Sequence, residues 1–321
     1  AMFLTSGYTY DNAAEVAARF AGEAEGMTYS RLQNPTVAML EERIALMEGA
    51  EACRVQASGM AAMTAALLCQ LNTGDHCVAA RAAFGSCRWL VDHLLPRFGI
   101  ETTVIDSADN DAWEAAIRPN TKVFFFETPA NPTLDIVDLA HVCALAKAHG
   151  ITTVEWIDEV LLPFQRNTGP NLSPFNAWVV HKGLETLDLR AHRQSENAVA
   201  LGTFMEPRVP RILHPGLESH PRHALALKQM RATGPIFAFD LESRAKAHAL
   251  LDALQLIDLS NNIGDARSLA CHPASTTHAG LSEEARAEMG VTEGLIRINV
   301  GLEDIEDLRE DMDQALKSAG F

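Results

Sequence analysis

The sequence predicts an α/β protein with a mostly parallel sheet, followed by a smaller α+β domain. Apolar helices and short apolar strands alternate from Pro35 to Val154, which is the pattern of parallel sheets with helical crossovers. After Glu155 the chain changes to long helices, and a strand followed by a helix closes it. We therefore expect an N-terminal arm at residues 1–35, a large domain at 36–186 and a C-terminal domain at 187–321.

The predicted elements follow one another in a regular order. In the large domain we expect helices at 36–49, 59–72, 86–99, 110–117 and 138–150, and strands at 52–58, 76–80, 101–105, 122–127 and 151–154. In the C-terminal domain we expect a helix at 244–254 and the closing strand and helix within 294–320. Ligands bind at the carboxyl ends of strands in such sheets, so the residues just after each strand carry the functional information.

Composition and charge exclude several classes of protein. The 321 residues are 47% hydrophobic, which is enough for sizeable cores. Asp and Glu total 42 against 26 Lys and Arg, so the net charge of −16 argues against nucleic acid or an anionic membrane as the main partner. Six cysteines without CxxC spacing predict reduced thiols in a cytoplasmic protein, and no metal site is expected.

Two strand ends carry candidate ligand contacts. In "VQASGMAAM" the expected strand ends at Ser58 and Gly59 and a helix begins at Met60, so free backbone N–H groups could hold a phosphate. An ordinary turn between a strand and a helix is the alternative. Phe84 in "AAFGSCRW" could lie over a planar ring, with Gly85 preventing crowding, or could belong to the core.

Three further segments carry polar groups in restrained positions. In "FFFETPANPT" two prolines fix the directions of Glu127 and Asn131, which favours a functional site. In "TYSRLQNPT", Tyr29 and Arg31 are two apart on a stretch that we expect to be extended, and they could bind a phosphate together or lie on a solvated arm. Arg297 lies in an apolar strand and needs a carboxylate or phosphate, or an internal Asp or Glu.

Taken together, these segments resemble the cystathionine γ-synthase group of enzymes, which use pyridoxal 5′-phosphate (PLP) in cysteine and methionine metabolism. The resemblance rests on "YSRLQNPT", "ASGMAAM", "ETPANPT", "GLESHPRH", "CHPASTTH" and "RINVGLED", which occur in the family's order along nearly the whole chain. Phe84, "RNTGPNLSPFNAW" and "SNNIGDARSL" resemble the O-succinylhomoserine sulfhydrylase branch most. The resemblance implies the PLP-dependent fold type I, like aspartate aminotransferase.

The resemblance also implies roles. Ser58, Gly59 and Met60 would hold the PLP phosphate, Phe84 would stack on the ring, and Asn131 would lie near its phenolic oxygen. Tyr29 and Arg31 would reach the phosphate of a neighbouring subunit in a homotetramer, while Arg297 and the Asn262 region would bind the substrate carboxylate. The implied reaction replaces the succinyl group of O-succinylhomoserine with sulfide, giving homocysteine for methionine biosynthesis; γ-synthase and γ-lyase activities are alternatives on the same fold.

This sequence lacks the two family motifs that carry residues required by PLP chemistry. A lysine must form a Schiff base with the cofactor, and an acid must keep the pyridine nitrogen protonated. The family carries the acid in a "VDN" motif after a strand like "ITTV" and the lysine further on, and neither motif occurs here. We reject Lys182 as the catalytic base, because "VVHKGLETL" resembles a later helix.

The resemblance therefore predicts that about 40 to 50 residues, two or three strand units long, are missing between Val154 and Glu155. If they are truly absent, the protein is a non-catalytic relative. A second, weaker candidate break lies at Glu242 and Ser243, where a strand meets a helix. Ser243 is an acceptable N-cap, so a genuine short loop is the alternative there.

Overall fold

The computed structural model describes residues 1–151 and 157–321, apart from the side chain of Asp158. The chain forms two compact units. The first unit contains residues 1–73 and 152–187, and the second unit contains residues 74–151 and 188–321. The three domains that we predict from the sequence, 1–35, 36–186 and 187–321, remain a prediction. The junction of Val154 and Glu155 lies outside the described residues.

Helices dominate the described part of the chain, and many begin at a side-chain cap. Asn34, Ser58 and Ser243 each accept a backbone N–H from the first turn of the helix that follows, which stabilises the start of that helix. The α-helices are α1 (Ala13–Ala21), α2 (Pro35–Glu48), α3 (Gly59–Leu68), α4 (Gly85–Trp89), α5 (Leu95–Arg97), α6 (Asn110–Ala115), α7 (Leu139–Ala148), α8 (Leu162–Thr168), α9 (Pro174–Gly183), α10 (Leu187–Met205), α11 (His223–Gln229), α12 (Arg244–Ala253), α13 (Glu283–Glu288) and α14 (Ile305–Ser318).

Both sheets of the described residues belong to the second unit. The first sheet is parallel, with strand order β2-β1-β3, and the second has the order β4-β5-β8-β7-β6 and is antiparallel except between β6 and β7. The strands are β1 (His76–Ala80), β2 (Glu101–Ile105), β3 (Thr121–Phe125), β4 (Arg211–Leu213), β5 (Ile236–Asp240), β6 (Asp258–Leu259), β7 (Leu269–Cys271) and β8 (Leu295–Asn299). The predicted α/β class with a parallel sheet and a following α+β region is confirmed.

Each sheet of the second unit packs helices over a buried face. Against the parallel sheet, Trp113 of α6 is fully buried and its ring lies 5.1 Å from that of Phe124 and 5.4 Å from that of Phe126. Against the antiparallel sheet, α10, α12 and α14 bury a larger apolar cluster that includes Phe237 and Phe239. These two layers hold the strand ends that carry the candidate site.

The predicted strand at 52–58 is wrong. Within the described residues this segment makes one isolated bridge, Gln56 with Asn171, instead of a ladder. Side chains bond the backbone of this segment where a neighbouring strand would. The N–H of Val55 donates to the carboxylate of Glu41, and the carbonyl of Val55 accepts from the side-chain amide of Gln165. A strand forms only where a neighbouring strand offers a ladder, and the described part of the first unit offers none here.

Local hydrogen bonds explain the structure at two other places, the predicted helix at 86–99 and the candidate break at Glu242. The predicted helix at 86–99 is α4 and α5 joined by a π-helical turn, Leu90–Leu94, where Leu95 donates its N–H to the carbonyl of Leu90. Pro96 lacks an N–H, so an ordinary turn would be broken nearby. The candidate break at Glu242 is a genuine short loop, because Ser243 caps α12 through Lys246 N–H.

None of the helices in the described ranges is long and apolar enough to cross a membrane.

Candidate active site

Phe84 and Asn131 follow neighbouring strands of the parallel sheet. Phe84 comes after β1 and directly precedes α4, while Asn131 comes after β3. Parallel neighbours end at the same edge of a sheet, so the loops that carry these residues meet there. A side chain at Gly85 would place its Cβ 3.0 Å from the backbone carbonyl oxygen of Thr277, so the glycine leaves room for that carbonyl.

The side chain of Glu127 joins these two loops. Its Oε2 accepts the backbone N–H of Phe84 at 3.1 Å, and its Oε1 accepts the backbone N–H of Asn131 at 2.5 Å. Burial raises the pKa of Glu127, while the two N–H groups lower it. Sequence reasoning placed Glu127 in a restrained loop and missed the bond to Phe84, because nothing in the sequence pairs residues so far apart.

Arg297 lies in the middle of β8 and is 1% exposed. Its Nη1 donates to Asn131 Oδ1 at 3.2 Å, and its Nη2 donates to the backbone carbonyls of Asn261 at 2.9 Å and Asn262 at 3.0 Å. Its Nε is buried without a hydrogen-bond partner. Burial lowers its pKa.

Arg297 makes no ion pair with a carboxylate of the described residues. The alternative of an internal Asp or Glu partner is therefore not met within them, and the acceptors around the guanidinium are neutral oxygens. A buried guanidinium with an unused N–H has the charge and a free donor that an anion requires. Asn262, which we predict beside Arg297, contributes its carbonyl, and Asn261 is a contact that the sequence did not indicate.

Two further side chains lie near Arg297 and were missed by sequence reasoning. Cys271 of β7 is directly opposite Arg297 in the antiparallel ladder, so both side chains lie on one face of the sheet. Burial raises the pKa of Cys271, and Arg297 lowers it. Burial, followed by the charges of Arg297 and Arg286, lowers the pKa of His278 to about 4, so its ring is neutral at pH 7. Its Nε2 is also buried without a partner.

In the first unit, Ser58 caps α3 as the predicted phosphate loop requires. Its hydroxyl accepts the N–H of Ala61 at 3.1 Å, and the helix begins at Gly59. A Cβ at Gly59 would meet nothing within 4 Å, so the space beside this turn is open. The amides of Gly59 and Met60 lie in the first turn, where N–H groups lack helical partners. The local geometry suits an anion; the roles of the three residues remain a prediction.

Tyr29 and Arg31 lie in the same unit. The stretch that we expected to be extended is a turn, since Leu32 and Gln33 both donate their N–H to the carbonyl of Tyr29. The two side chains are still adjacent, because the guanidinium of Arg31 lies 5.5 Å from the centre of the Tyr29 ring.

The guanidinium of Arg31 bonds within its own chain. It donates to the carbonyl of Arg166, while Asn171 donates its side-chain amide to the carbonyl of Arg31 at 2.6 Å. The segment with Asn171 also bridges Gln56, two residues before Ser58. The contact of Tyr29 and Arg31 with a neighbouring subunit remains a prediction.

The described residues fit the non-covalent contacts to PLP better than the covalent one. All six lysines of the sequence lie in the described ranges, and five of them are exposed. The sixth, Lys246, pairs with Glu242 at 2.8 Å and lies over the ring of Phe321. Lys182 pairs with Glu185 at 2.5 Å on the surface. The lysines are Lys122, Lys147, Lys182, Lys228, Lys246 and Lys317.

No lysine therefore lies beside Phe84, Asn131 or Arg297 among the contacts of the described residues. The position after "ITTV" where the resemblance expects the ring-nitrogen acid lies outside the described residues. The chain has candidate residues for the phosphate, ring and carboxylate contacts. It has no candidate for the Schiff-base lysine, so no chemical step can be assigned to a lysine of this sequence.

The α/β fold places two loops at the ends of parallel strands and a buried arginine on the second sheet of the same unit. The family profile "Cys/Met metabolism PLP-dependent enzyme" matches residues 1–163 and 152–317. The chain belongs to this family.

Several characterised relatives share most of their length with this chain. The O-succinylhomoserine sulfhydrylase of Mycobacterium tuberculosis H37Rv is 40% identical over 367 residues, covering 98% of this chain and 90% of the relative. The O-succinylhomoserine sulfhydrylase of Pseudomonas aeruginosa is 39% identical, with 98% and 90% coverage. The L-methionine γ-lyase of Pseudomonas putida is 36% identical, with 99% and 92% coverage.

Solved structures agree on the fold. An O-acetylhomoserine (thiol)-lyase candidate from Campylobacter jejuni, which carries a pyridoxyl-lysine phosphate group, has a TM-score of 0.93 at 29% identity and covers 99% of this chain and 94% of its own. Cystathionine γ-lyase from Lactobacillus plantarum, complexed with L-serine, has a TM-score of 0.92 at 28% identity, with 99% and 93% coverage. The chain therefore has the fold of the PLP-dependent fold type I enzymes.

Proposed function

We propose that the protein is a PLP-dependent γ-replacement enzyme that converts O-succinylhomoserine and sulfide to homocysteine and succinate. The observation that carries the proposal is Arg297, a buried guanidinium bracketed by neutral oxygens and without a carboxylate partner among the described residues. An amino-acid carboxylate would supply the missing anion. The identity of 40% to an O-succinylhomoserine sulfhydrylase supports this choice of substrate.

The proposal assigns a role to each candidate residue of the second unit. Arg297 binds the substrate carboxylate, with Asn262 fixing the guanidinium through its carbonyl. Phe84 packs on the cofactor ring, and Asn131 holds Arg297 on one side while lying near the ring's phenolic oxygen on the other. When bound, PLP withdraws electrons from the substrate carbons, so that protons and the γ-substituent can leave.

The phosphate of PLP is bound by the turn at Ser58, Gly59 and Met60. The helix begins at this turn, where unpaired N–H groups and the positive end of the helix dipole favour an anion. Tyr29 and Arg31 of a neighbouring subunit add to this contact in a homotetramer. The setting is the cytoplasm, in methionine biosynthesis.

The proposal requires a lysine and an acid that the 321 residues do not supply. We propose that about 40 to 50 residues carrying them belong between Val154 and Glu155. Two findings support this: the two family matches meet and overlap at 152–163, and the 367-residue alignment exceeds the length of the chain. Since 98% of 321 residues is about 315, about 52 positions of that relative have no counterpart here.

The test is an assay of purified protein with PLP, O-succinyl-L-homoserine and one of three additions: sulfide, cysteine or no nucleophile. The proposal predicts homocysteine and succinate with sulfide, at a higher rate than cystathionine forms with cysteine. Cystathionine as the main product would indicate a γ-synthase. Release of succinate without a nucleophile would indicate a lyase-type elimination.

A second candidate is a non-catalytic relative that binds a carboxylate or phosphate ligand. The surface positions of all six lysines favour it, because none can hold the cofactor aldehyde in the site. In that case none of the three assays gives product, and the purified protein has no yellow colour that borohydride removes.

A further inference from the structure

Glu127 links two loops at one edge of the parallel sheet, the loop after β1 that carries Phe84 and the loop after β3 that carries Asn131. Its two oxygens accept the N–H of Phe84 at 3.1 Å and the N–H of Asn131 at 2.5 Å. Phe84 is 43 residues from Glu127 in the chain, so this bond ties the end of β1 to the end of β3. Hydrogen bonds to an ionised acceptor are stronger than neutral ones.

The connection continues to the second sheet of the same unit. Asn131 accepts Nη1 of Arg297 with its side-chain oxygen at 3.2 Å, while its backbone N–H is held by Glu127. The position of the Asn131 backbone therefore determines where its side-chain oxygen meets the guanidinium. Phe84, Glu127, Asn131 and Arg297 form one continuous chain of contacts.

We propose that Glu127 is a positioning residue, which sets the ring-packing residue Phe84 and the carboxylate-binding residue Arg297 relative to each other. The inference rests on the proposed function for the roles of Phe84 and Arg297, and on the structure for the bonds. Glu127 touches neither ligand in this account; it acts through the two N–H groups that it holds.

The decisive variant is Glu127→Gln, which keeps the shape of the side chain. An amide has one oxygen, and its NH2 group cannot accept a bond, so one of the two N–H groups loses its acceptor. We expect hydrogen exchange in residues 82–86 or 128–133 to become about tenfold faster, which is the effect of losing one such bond. The matched control is Glu101→Gln, which removes an exposed carboxylate of β2 that pairs with Arg118 at 2.7 Å. It should leave both segments unchanged.

Ligand binding gives the second readout and needs no catalytic lysine. Pyridoxine 5′-phosphate has an alcohol in place of the aldehyde, and O-succinyl-L-homoserine carries the α-carboxylate. For Glu127→Gln we expect Kd to rise about tenfold for both ligands, whereas Glu101→Gln should leave both values unchanged. If Glu127→Gln does not fold, Glu127→Asp makes the same test, because its shorter side chain cannot reach both N–H groups.

The outcomes distinguish failure of the positioning role of Glu127 from failure of the proposed function. Unchanged exchange in both segments, or faster exchange with unchanged Kd values, overturns the positioning role and leaves the proposed function intact. A wild-type protein that binds neither ligand overturns the proposed function, and the positioning role with it. Weaker binding of both ligands together with faster exchange supports the role.

Discussion

The first and second units differ in how completely each buries its own apolar side chains and pairs its own strands. The second unit contains both sheets of the described residues and buries large apolar clusters on them. The described residues of the first unit are helical, with isolated bridges and no ladder. Of the exposed large apolar side chains in the described ranges, thirteen belong to the first unit and eight to the second, although the second is about twice as long.

The buried side-chain oxygens without a partner show the same difference, because three of the four in the described residues belong to the first unit and one, Asn110 Oδ1, belongs to the second. Gln56, Gln165 and Asn171 of the first unit each have a buried side-chain oxygen without a partner, and bonds or a bridge connect the segments that carry them. Buried oxygens normally accept a hydrogen bond. This is the pattern expected of a unit whose neighbouring strands are missing, as we propose for the junction at 154–155.

The largest test of the comparison is a matched pair of tryptophan variants. Trp113→Ala should cost about 3 to 5 kcal/mol of unfolding free energy, because the ring is fully buried between two phenylalanines and its N–H bonds the carbonyl of Ser107. Trp178→Ala in the first unit should cost less than about 1 kcal/mol, since that ring is 39% exposed. Urea unfolding measures both, and equal losses would contradict the difference between the units.

Acid should destabilise the second unit more than the first. Burial lowers the pKa of His214 and of His278 to about 4, so between pH 6.5 and about 4 the unfolded chain takes up protons that the folded chain does not. Each of these histidines therefore contributes about 3 kcal/mol to the free energy of unfolding above pH 6.5. This contribution is lost as the pH falls from 6.5 to about 4. The first unit contains only His181.

Hydrogen exchange at pH 7 and pH 5 measures this loss in each unit separately. His278→Asn should reduce the pH dependence of the second unit, and His192→Asn, on an exposed helical surface, is the control. The same pH dependence in both variants would show that His278 does not contribute to the acid sensitivity of the second unit.

Removing the guanidinium of Arg297 should affect ligand binding more than folding. Arg297→Met should weaken O-succinyl-L-homoserine by about 1.5 to 3 kcal/mol, the effect of losing a charge-assisted bond to a carboxylate. Titration calorimetry measures the change, and binding of pyridoxine 5′-phosphate should stay within about twofold. An unchanged Kd for the substrate with a lower melting temperature would show that Arg297 has a structural role only.

The smallest effect is expected from two helix caps, one in each unit. Ser58 and Ser243 each accept an N–H three residues on, at 3.1 Å and 3.4 Å, so either alanine variant should cost about 1 kcal/mol of stability. Ser58→Ala alone should also weaken pyridoxine 5′-phosphate binding, because only this cap lies at the proposed phosphate turn. Equal effects of the two variants on binding would exclude the turn at Ser58 from the cofactor site.

The elements with local signals were predictable from the sequence. Helix α2 is capped by Asn34 and begins at Pro35, and β1 is a short apolar run, so composition and caps were sufficient. The segment at 52–58 has the composition of a strand and is not one, because strand formation depends on a neighbour that the sequence pattern does not reveal. The same limit applies to Glu127, whose bond to Phe84 exists only after two strands have paired.

The site was predictable only where a residue's chemistry was unusual for its position. Arg297 is conspicuous as a charge in an apolar strand, and its acceptors among the described residues are the neutral oxygens of Asn131, Asn261 and Asn262 instead of the predicted anion. Cys271 and His278 are ordinary in the sequence. Their places beside Arg297 depend on the register of β7 against β8 and on a turn after β7.

The central claim is that this chain is a PLP enzyme whose Schiff-base lysine lies in a segment missing between Val154 and Glu155. Its most direct test is the intact mass of the purified protein, before and after treatment with PLP and borohydride. We predict a mass above 34.9 kDa by the weight of the missing segment, and one added pyridoxyl phosphate group on a lysine outside the six of the present sequence. A mass equal to 34.9 kDa without that single adduct would contradict the catalytic assignment and leave the non-catalytic relative in its place.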